Sequence, residues 1–319
     1  MAVLTELPTA DATRVAEAHG LPAVTEIHPI AAGSVNSNFF LDLADGRRVF
    51  LRIYEEQDTD GVAFEWATLR HLAEHDVPIP KRIEGPPPGA LRVAGKPVAL
   101  FELAGGEMSC QKAVTEARCT AVGGLLARVH LACADLGWRR TSRFDRRSLA
   151  KRMGRIPRRG ELAPVCNRLE AGFAMIDVPP DLPRGLTHGD LFRDNVLWEG
   201  DTLSAAIDWE SAAWDTLAYD LAVAILAWCV GDDFDWSLAR AMLAGYEAER
   251  PLSDAEARSL RDLCCAAALR FTVTRITDFH LRAEGAVGVH KDYRRMLLRL
   301  DRVEALAPEA FVATLRGSG

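Results

Sequence analysis

The chain has 319 residues, of which 49% are hydrophobic and 26% charged, a composition typical of a globular protein. Its formal net charge of −7 disfavours nucleic acid as a partner, because phosphate backbones are bound through a surplus of basic residues. Two lobes are expected from the length. Residues 1–14 show no leader pattern, and the longest apolar run, residues 221–230, is much shorter than the roughly 20 residues of a membrane-spanning helix.

The seven cysteines form neither a CxxC pair nor a Cys/His cluster with the spacing of a zinc site. Reduced thiols that serve as small core residues are typical of proteins from a reducing compartment. We therefore expect a cytoplasmic protein that binds neither nucleic acid nor a membrane. The oligomeric state is left open.

In chain order, the first third predicts a small antiparallel sheet with a helix laid on it. A hairpin is indicated where apolar and polar residues alternate on both sides of Asp45-Gly46, a strong turn signal. A second hairpin is expected around Gly95-Lys96. The predicted elements are helices over residues 10–20 and 61–75 and strands over residues 38–43, 47–54, 91–93 and 97–101.

After Gly105-Gly106 the pattern becomes mostly helical. Apolar residues recur at helical spacing over residues 114–131, and Ser253 with Glu256 marks the start of a later helix by a capping box. The chain therefore predicts an α+β fold with an N-terminal sheet lobe over residues 1–102, a hinge over 103–106 and a helical lobe over 107–319. The helical lobe contains short predicted strands over residues 186–187, 195–198 and 203–207.

The most informative segments are residues 186–198 and 206–209, where polar clusters interrupt short apolar strands. Phosphoryl transfer needs an aspartate that orients the attacking hydroxyl and accepts its proton. It also needs an amide oxygen and a second carboxylate that hold Mg²⁺ against the phosphates. Asp190, Asn195 and Asp208 supply these three oxygen donors in that order. The pattern therefore predicts an ATP-dependent phosphotransferase that uses Mg²⁺.

Two motifs carry a family resemblance: His188-Gly189-Asp190 with Asn195 five positions later, and Ile207-Asp208-Trp209. They resemble the aminoglycoside phosphotransferase and choline kinase superfamily, whose members are relatives of protein kinases. The resemblance implies a protein-kinase-like, two-lobed fold with MgATP in the cleft. It also implies that Asp190 is the catalytic base and that Asn195 and Asp208 are magnesium ligands. His188 would support the catalytic loop.

The same resemblance implies nucleotide contacts in the sheet lobe. Arg52 occupies the place of the phosphate-binding lysine of protein kinases, and Glu65 on the next predicted helix is its natural ion-pair partner. Residues 33–38 lie where a phosphate-covering loop belongs, and backbone groups near the hinge would bind adenine. The implied nucleotide-binding residues are Ser34, Asn36, Ser37, Asn38, Arg52, Glu65, Glu102 and Leu103.

A narrower resemblance, to the bacterial homoserine kinase branch, rests on residues 36–39, residues 190–195, residues 218–222 with 227–229, and residues 268–271 with 274–275. That branch phosphorylates the side-chain hydroxyl of L-homoserine. The sequence departs from the branch after Ile207, most notably at Glu210.

The substrate's ammonium would meet Glu210 or Asp215, and its carboxylate Arg275 or Arg193. The alternatives are another small hydroxyl acceptor (choline, ethanolamine, a sugar or an aminoglycoside) and a nucleotide-binding pseudokinase.

Overall fold

The computed structural model describes residues 4–30, 35–281 and 291–317. The chain forms two units, each with its own set of internal contacts. The described part of the first unit is residues 4–30 and 35–105, and that of the second is residues 106–281 and 291–317.

The first unit is built on a five-stranded antiparallel sheet in which the strands lie in the order β1-β2-β3-β5-β4. The turn between β2 and β3 contains Gly46 at φ 84°, a backbone angle that favours glycine, as the hairpin signal predicts. The elements of this unit are α1 (Thr9–Ala18), β1 (Val24–Ile30), β2 (Ser37–Leu43), β3 (Arg48–Ile53), α2 (Thr59–Glu74), β4 (Arg92–Val93) and β5 (Lys96–Glu102).

Alternation along the strands produces the core of the first unit. On β3 the buried residues are Val49, Leu51 and Ile53, two apart, so their side chains share one face of the sheet. Helix α1 contributes Ala12 and Val15 to the same apolar cluster. This face of the sheet therefore carries the core.

The second unit is mostly helical and contains two small antiparallel sheets, β6-β8-β9 and β7-β10. Its strands are β6 (Glu107–Met108), β7 (Arg184–Thr187), β8 (Val196–Glu199), β9 (Thr202–Ala206) and β10 (Ala213–Thr216). Its helices are α3 (Glu116–Ala132), α4 (Arg146–Met153), α5 (Leu162–Met175), α6 (Leu217–Trp228), α7 (Trp236–Glu249), α8 (Asp254–Arg275), α9 (Arg294–Glu304) and α10 (Pro308–Arg316).

Helix α6 lies at the centre of the second unit, and nearly all of its side chains are buried. A helix that is apolar on every side is typical of a protein core. Asp220 is the one acidic residue of α6, and a buried carboxylate needs a hydrogen-bonding partner. Helix α8 packs against α6 and begins at the predicted capping box, in which Ser253 and Glu256 exchange hydrogen bonds.

The predicted α+β class, with a sheet followed by helices, is confirmed. The two N-terminal hairpins and the three short strands of the helical lobe lie within about two residues of the predicted positions. All seven cysteines are free, and Cys110 is the exposed one. Across the described ranges, no helix combines the length and apolar character needed to cross a bilayer.

Candidate active site

The hairpin formed by β8 and β9 brings two of the predicted residues to the same end of one strand pair. Val196 is paired with Ala206, and the Ile207 N–H donates to the Asn195 carbonyl at 2.9 Å. Asn195 therefore lies just before β8 and Asp208 just after β9, at the open end of the hairpin. The amide and the carboxylate are separated by twelve residues of sequence, but the strand pairing places them side by side.

The Asp190 backbone is tied to the same end of the hairpin. Its carbonyl accepts a hydrogen bond from Asn195 Nδ2 at 2.8 Å, and another from the Phe192 N–H at 2.7 Å. Burial raises the pKa of the Asp190 carboxyl above its usual range; the Asp208 carboxylate acts in the same direction, and the Arg270 guanidinium opposes it. Asp190, Asn195 and Asp208 therefore form one polar group within the second unit.

Asp208 has a left-handed backbone, with φ 68° and ψ 59°. Few residues other than glycine adopt this conformation, and such outliers concentrate at functional sites. The half-buried Asp208 immediately precedes the fully buried Trp209, whose indole N–H donates to the Ala206 carbonyl at 2.9 Å. The turn after β9 is therefore anchored on both sides of the carboxylate.

His188 is buried beneath the loop that carries Asp190. Its Nε2 lies 3.0 Å from the Ile207 carbonyl, and its Nδ1 accepts a hydrogen bond from the Asp190 N–H at 3.3 Å. The two bonds together require a neutral ring protonated on Nε2. His188 thus joins the Asp190 loop to the strand that leads to Asp208.

Asp220 supports the same loop from below. Its two carboxylate oxygens accept hydrogen bonds from the backbone N–H groups of His188 (2.7 Å) and Gly189 (2.8 Å). His130 Nε2 lies 3.3 Å from Asp220 Oδ2. Burial alone would raise the pKa of Asp220, but hydrogen bonding to His130 and to the loop lowers it overall, so the carboxylate stays charged.

Two more buried side chains hold this loop. Arg270 Nη1 donates to the Gly189 carbonyl at 2.8 Å, and its guanidinium carbon lies 3.9 Å from the ring centroids of both Phe144 and Phe271. Trp228 Nε1 donates to the Leu191 carbonyl at 3.0 Å.

Sequence reasoning missed the contacts that Asp220 and Arg270 make with the loop. The signal was present in both cases, because Asp220 is the one charged residue of α6 and Arg270 directly follows the apolar run 263–269 of α8.

The four residues predicted to contact the acceptor lie in different surroundings. Glu210 is buried, and its Oε1 lies 3.1 Å from Arg143 Nη2. Asp215 is half-buried, 3.9 Å from Arg184, and burial raises the pKa of its carboxyl. Arg193 donates to the Ala227 carbonyl at 2.5 Å, and Arg275 to the Asp292 carbonyl at 3.0 Å.

In the first unit, Arg52 Nη1 lies 3.8 Å from Oε1 of the buried Glu65, and Arg52 Nε donates to Asn38 Oδ1 at 3.3 Å. Ser37 Oγ donates to Glu55 Oε1, and Asn36 Oδ1 accepts from the Glu55 N–H.

Glu102 ends β5, and both Glu102 and the following Leu103 are exposed. Ser34 lies outside the described residues.

Comparison with known proteins decides the family. Residues 26–258 match the model of the phosphotransferase enzyme family. The chain belongs to this family. The phosphotransferase is 35% identical to a homoserine kinase of Methylocella silvestris, over 96% of its own length and 97% of that protein's. It is 37% identical to a homoserine kinase of Rhodospirillum rubrum, with 92% of each chain covered. The predicted resemblance to the superfamily and its homoserine kinase branch is confirmed.

Among solved structures, the phosphotransferase resembles an amicoumacin kinase that was determined in complex with AMP-PNP and Ca²⁺. The TM-score is 0.68 at 16% identity, and the match covers 93% of this chain and 94% of the other. At this identity the likeness concerns the fold, and it confirms the predicted kinase-like architecture. The prediction of a small-molecule kinase is confirmed by the family and by the two relatives.

Proposed function

We propose that this phosphotransferase is a homoserine kinase, which transfers the γ-phosphate of ATP to the side-chain hydroxyl of L-homoserine in the cytoplasm. The observation that carries the proposal is the joint placement of Asp190, Asn195 and Asp208 by the β8–β9 hairpin and the buried supports of its neighbouring loop. The identity to two homoserine kinases over nearly their whole lengths supports the choice of acceptor.

The donor set fits a magnesium ion. Magnesium prefers hard oxygen ligands and retains several waters, so an amide oxygen and a carboxylate from the protein suffice. Asn195 directs its Nδ2 to the Asp190 carbonyl, which leaves Oδ1 without a hydrogen-bond donor among the described residues. We therefore assign Asn195 Oδ1 and the Asp208 carboxylate to the metal. When bound, the ion would neutralise charge on the phosphate oxygens during transfer.

In the transfer step, Asp190 accepts the proton of the acceptor hydroxyl. The hydroxyl oxygen forms a bond to the γ-phosphorus while the bond from phosphorus to the β,γ-bridging oxygen breaks and ADP leaves. A carboxylate whose pKa is raised by burial is a better base than an exposed one. His188 and Asp220 do not touch the reactants in this proposal; they hold the Asp190 backbone in place.

The nucleotide contacts are assigned to the predicted N-terminal lobe, residues 1–102, which is followed by the predicted hinge at 103–106. Residues 107–319 are assigned as the catalytic and acceptor lobe. Arg52 binds phosphate, and the buried Glu65 fixes the direction of its guanidinium group. The backbone of Glu102 and Leu103 binds adenine. The start of β2, beside Arg52, is formed by Asn36, Ser37 and Asn38. Ser34 is assigned to the phosphate-covering loop from the sequence alone.

The test is ADP release from MgATP by the purified protein with L-homoserine, choline, hydroxylysine or an aminoglycoside as acceptor. We expect turnover with homoserine, and Asp190→Asn is expected to reduce kcat by roughly 10²- to 10⁴-fold because the base is lost. The dissociation constant of ATP, measured by calorimetry, should not change. Asp201→Asn, at the exposed turn of the same hairpin, serves as the matched control and should retain full activity.

Different failures have different meanings. Turnover with another acceptor only would overturn the choice of homoserine and keep the kinase. Full activity of Asp190→Asn would overturn the assignment of the base. ATP binding without turnover of any acceptor would replace the proposal with a nucleotide-binding pseudokinase.

A further inference from the structure

Four arginines of the second unit come together near the Asp190 loop. Arg193 lies three residues after Asp190, and Arg275 ends α8. Arg295 and Arg299 are four residues apart on α9 and therefore share one face of that helix. We call these residues the arginine cluster: Arg193, Arg275, Arg295 and Arg299.

The carboxylates of Asp190, Asp194 and Asp292 act on Arg275, but only at longer range than an ion pair. Within the part of the chain that the structure describes, none of the cluster's members forms an ion pair with a carboxylate. The same helix provides the contrast, because Arg294 lies 2.5 Å from Glu161 and Arg302 lies 3.1 Å from Asp233. Helix α9 therefore carries both arginines that form ion pairs and arginines without a described carboxylate within ion-pair distance.

The hydrogen bonds of the cluster use few of its donors. A guanidinium group has five N–H donors. Arg193 and Arg275 each donate through Nη1 to a backbone carbonyl, and Arg275 Nε is buried without a hydrogen-bond partner. Arg299 has only a long contact of 3.9 Å from Nη1 to Met296 Sδ. Most of the donors therefore remain for a ligand.

Within the cluster, the positive charge of one arginine lowers the pKa of another. Burial, together with the positive charges of the other three members, lowers the pKa of Arg299 to about 9. Burial likewise lowers the pKa of Arg275 to about 10. Bringing these like charges together, with Arg193, Arg275 and Arg299 partly buried, is unfavourable unless an anion compensates them.

The cluster lies next to the candidate base. Phe192, two residues after Asp190, packs its ring 4.7 Å from that of Phe271, and the Arg275 guanidinium carbon lies 6.0 Å from the Phe192 ring centroid. Asp190 is also the first of the charges that favour the protonated form of Arg275. An anion bound by the cluster would therefore be close to the reacting hydroxyl.

We propose that the arginine cluster binds the carboxylate of the acceptor, so that the enzyme selects α-amino acids over amino alcohols of the same length. The inference rests on the proposed function, in which the acceptor carries a hydroxyl at one end and a carboxylate at the other. Planar guanidinium groups match a carboxylate through paired hydrogen bonds, which fixes direction as well as charge. Arg275 and Arg193 form the side next to Asp190, and Arg295 and Arg299 add the wall from α9.

The test compares L-homoserine with 3-amino-1-propanol, which has the same hydroxyl and amine but no carboxylate. Arg299→Met and Arg275→Met remove the charge and keep an unbranched side chain. We expect each to reduce kcat/KM for homoserine by roughly 10- to 100-fold, the size of lost hydrogen bonds to a charged group. The value for 3-amino-1-propanol and the KM for ATP should change less than about threefold. Arg299→Lys, which keeps the charge, should recover part of the loss.

The matched control is Arg302→Met, on the same helix but outside the cluster, and it should retain wild-type kinetics with both acceptors. Equal losses with homoserine and 3-amino-1-propanol would overturn the inference, and so would a rise in the KM for ATP alone, which would assign the cluster to nucleotide phosphate. A wild-type protein that uses both acceptors equally well would overturn it too.

Binding of homoserine to the wild-type protein and to Arg299→Met, measured by calorimetry with AMP-PNP present, separates this inference from the proposed function. Binding that the variant loses, without turnover by the wild type, would keep the cluster as a carboxylate site and reject the kinase proposal. Absence of binding and of turnover would reject both.

Discussion

At the scale of single residues, the site depends on charged groups that never reach the solvent. Asp220 is fully buried, and both of its oxygens accept N–H groups of the loop that precedes Asp190. Arg270 holds the carbonyl of the same loop at Gly189. A negative and a positive side chain from two helices thus fix the donors and the acceptor of one peptide segment, and the left-handed backbone of Gly189, at φ 73°, lies between them.

Asp220→Ala should therefore reduce both stability and activity. The change leaves two buried N–H groups without acceptors, and each unpaired group costs about 1–3 kcal/mol. We expect the urea midpoint to fall, and kcat with the best acceptor to fall at least about tenfold because the base loses its position. The KM for ATP should stay near its wild-type value.

The measurement is urea unfolding alongside steady-state kinetics of Asp220→Ala. Its control is Asp262→Ala, an acid on α8 that pairs with the neighbouring Arg261 and has no contact with the loop. A variant with normal kcat would show that the loop holds its position without the buried carboxylate.

At the scale of elements, helices α3 and α7 of the second unit are in close backbone contact. A side-chain carbon built on Gly123 would lie 2.0 Å from the Met242 carbonyl oxygen, and one on Gly245 would lie 2.1 Å from the Thr120 carbonyl oxygen. The two backbones therefore touch through glycine on both helices. Helix α3 also carries His130, which contacts Asp220. The packing of α3 on α7 therefore helps to position the carboxylate that binds the Asp190 loop.

Neighbouring glycines on α3 provide a test with opposite signs. Gly123→Ala forces the helices apart, and overpacking of this kind costs about 1–3 kcal/mol or more. At Gly124 the nearest atom to an added carbon is 3.5 Å away, an ordinary contact. Gly124→Ala should therefore stabilise the protein by roughly 0.5–1 kcal/mol, the helix-propensity gain. Thermal unfolding of the two variants measures both, and equal shifts would contradict the contact.

How far the elements could be predicted depended on whether their signal was local. The β2–β3 hairpin follows from Asp45-Gly46, and the start of α8 from Ser253 and Glu256, because turns and caps are made by neighbouring residues. Strands β6 and β10 were not predicted. They are two and four residues long, and each exists through pairing with a partner distant in sequence, Trp198 for Glu107 and Thr187 for Ala213.

The same distinction applies to the site. Asp190, Asn195 and Asp208 could be picked out because phosphoryl transfer requires those residue types at the ends of short strands. The surroundings of Glu210 could not: its partner Arg143 is 67 residues away, and only the fold brings the two together. The arginine cluster was half visible as Arg193 and Arg275, but the contribution of α9 depends on how that helix packs on α8.

At the scale of the whole molecule, a net charge of −7 conceals a local positive site. The total charge therefore does not describe the local charge around the arginine cluster. Ligand binding also stabilises the folded chain as a whole. A ligand that binds the folded protein but not the unfolded one raises the free energy of unfolding by about 2.7 kcal/mol when its concentration is one hundred times the dissociation constant.

Stabilisation by ligand binding provides a test of the two assigned metal ligands that does not depend on turnover. We expect AMP-PNP with Mg²⁺ to raise the unfolding temperature of the wild-type protein by several degrees more than AMP-PNP with EDTA. Asp208→Asn removes one of the two assigned ligands and its charge, so the additional rise that Mg²⁺ provides should largely disappear, while the rise caused by nucleotide alone remains. Asp201→Asn, in the exposed turn of the same hairpin, should behave as the wild type does. A full Mg²⁺-dependent rise in Asp208→Asn would place the ion on other residues, because a carboxylate that holds the metal cannot be replaced by an amide without weakening the site.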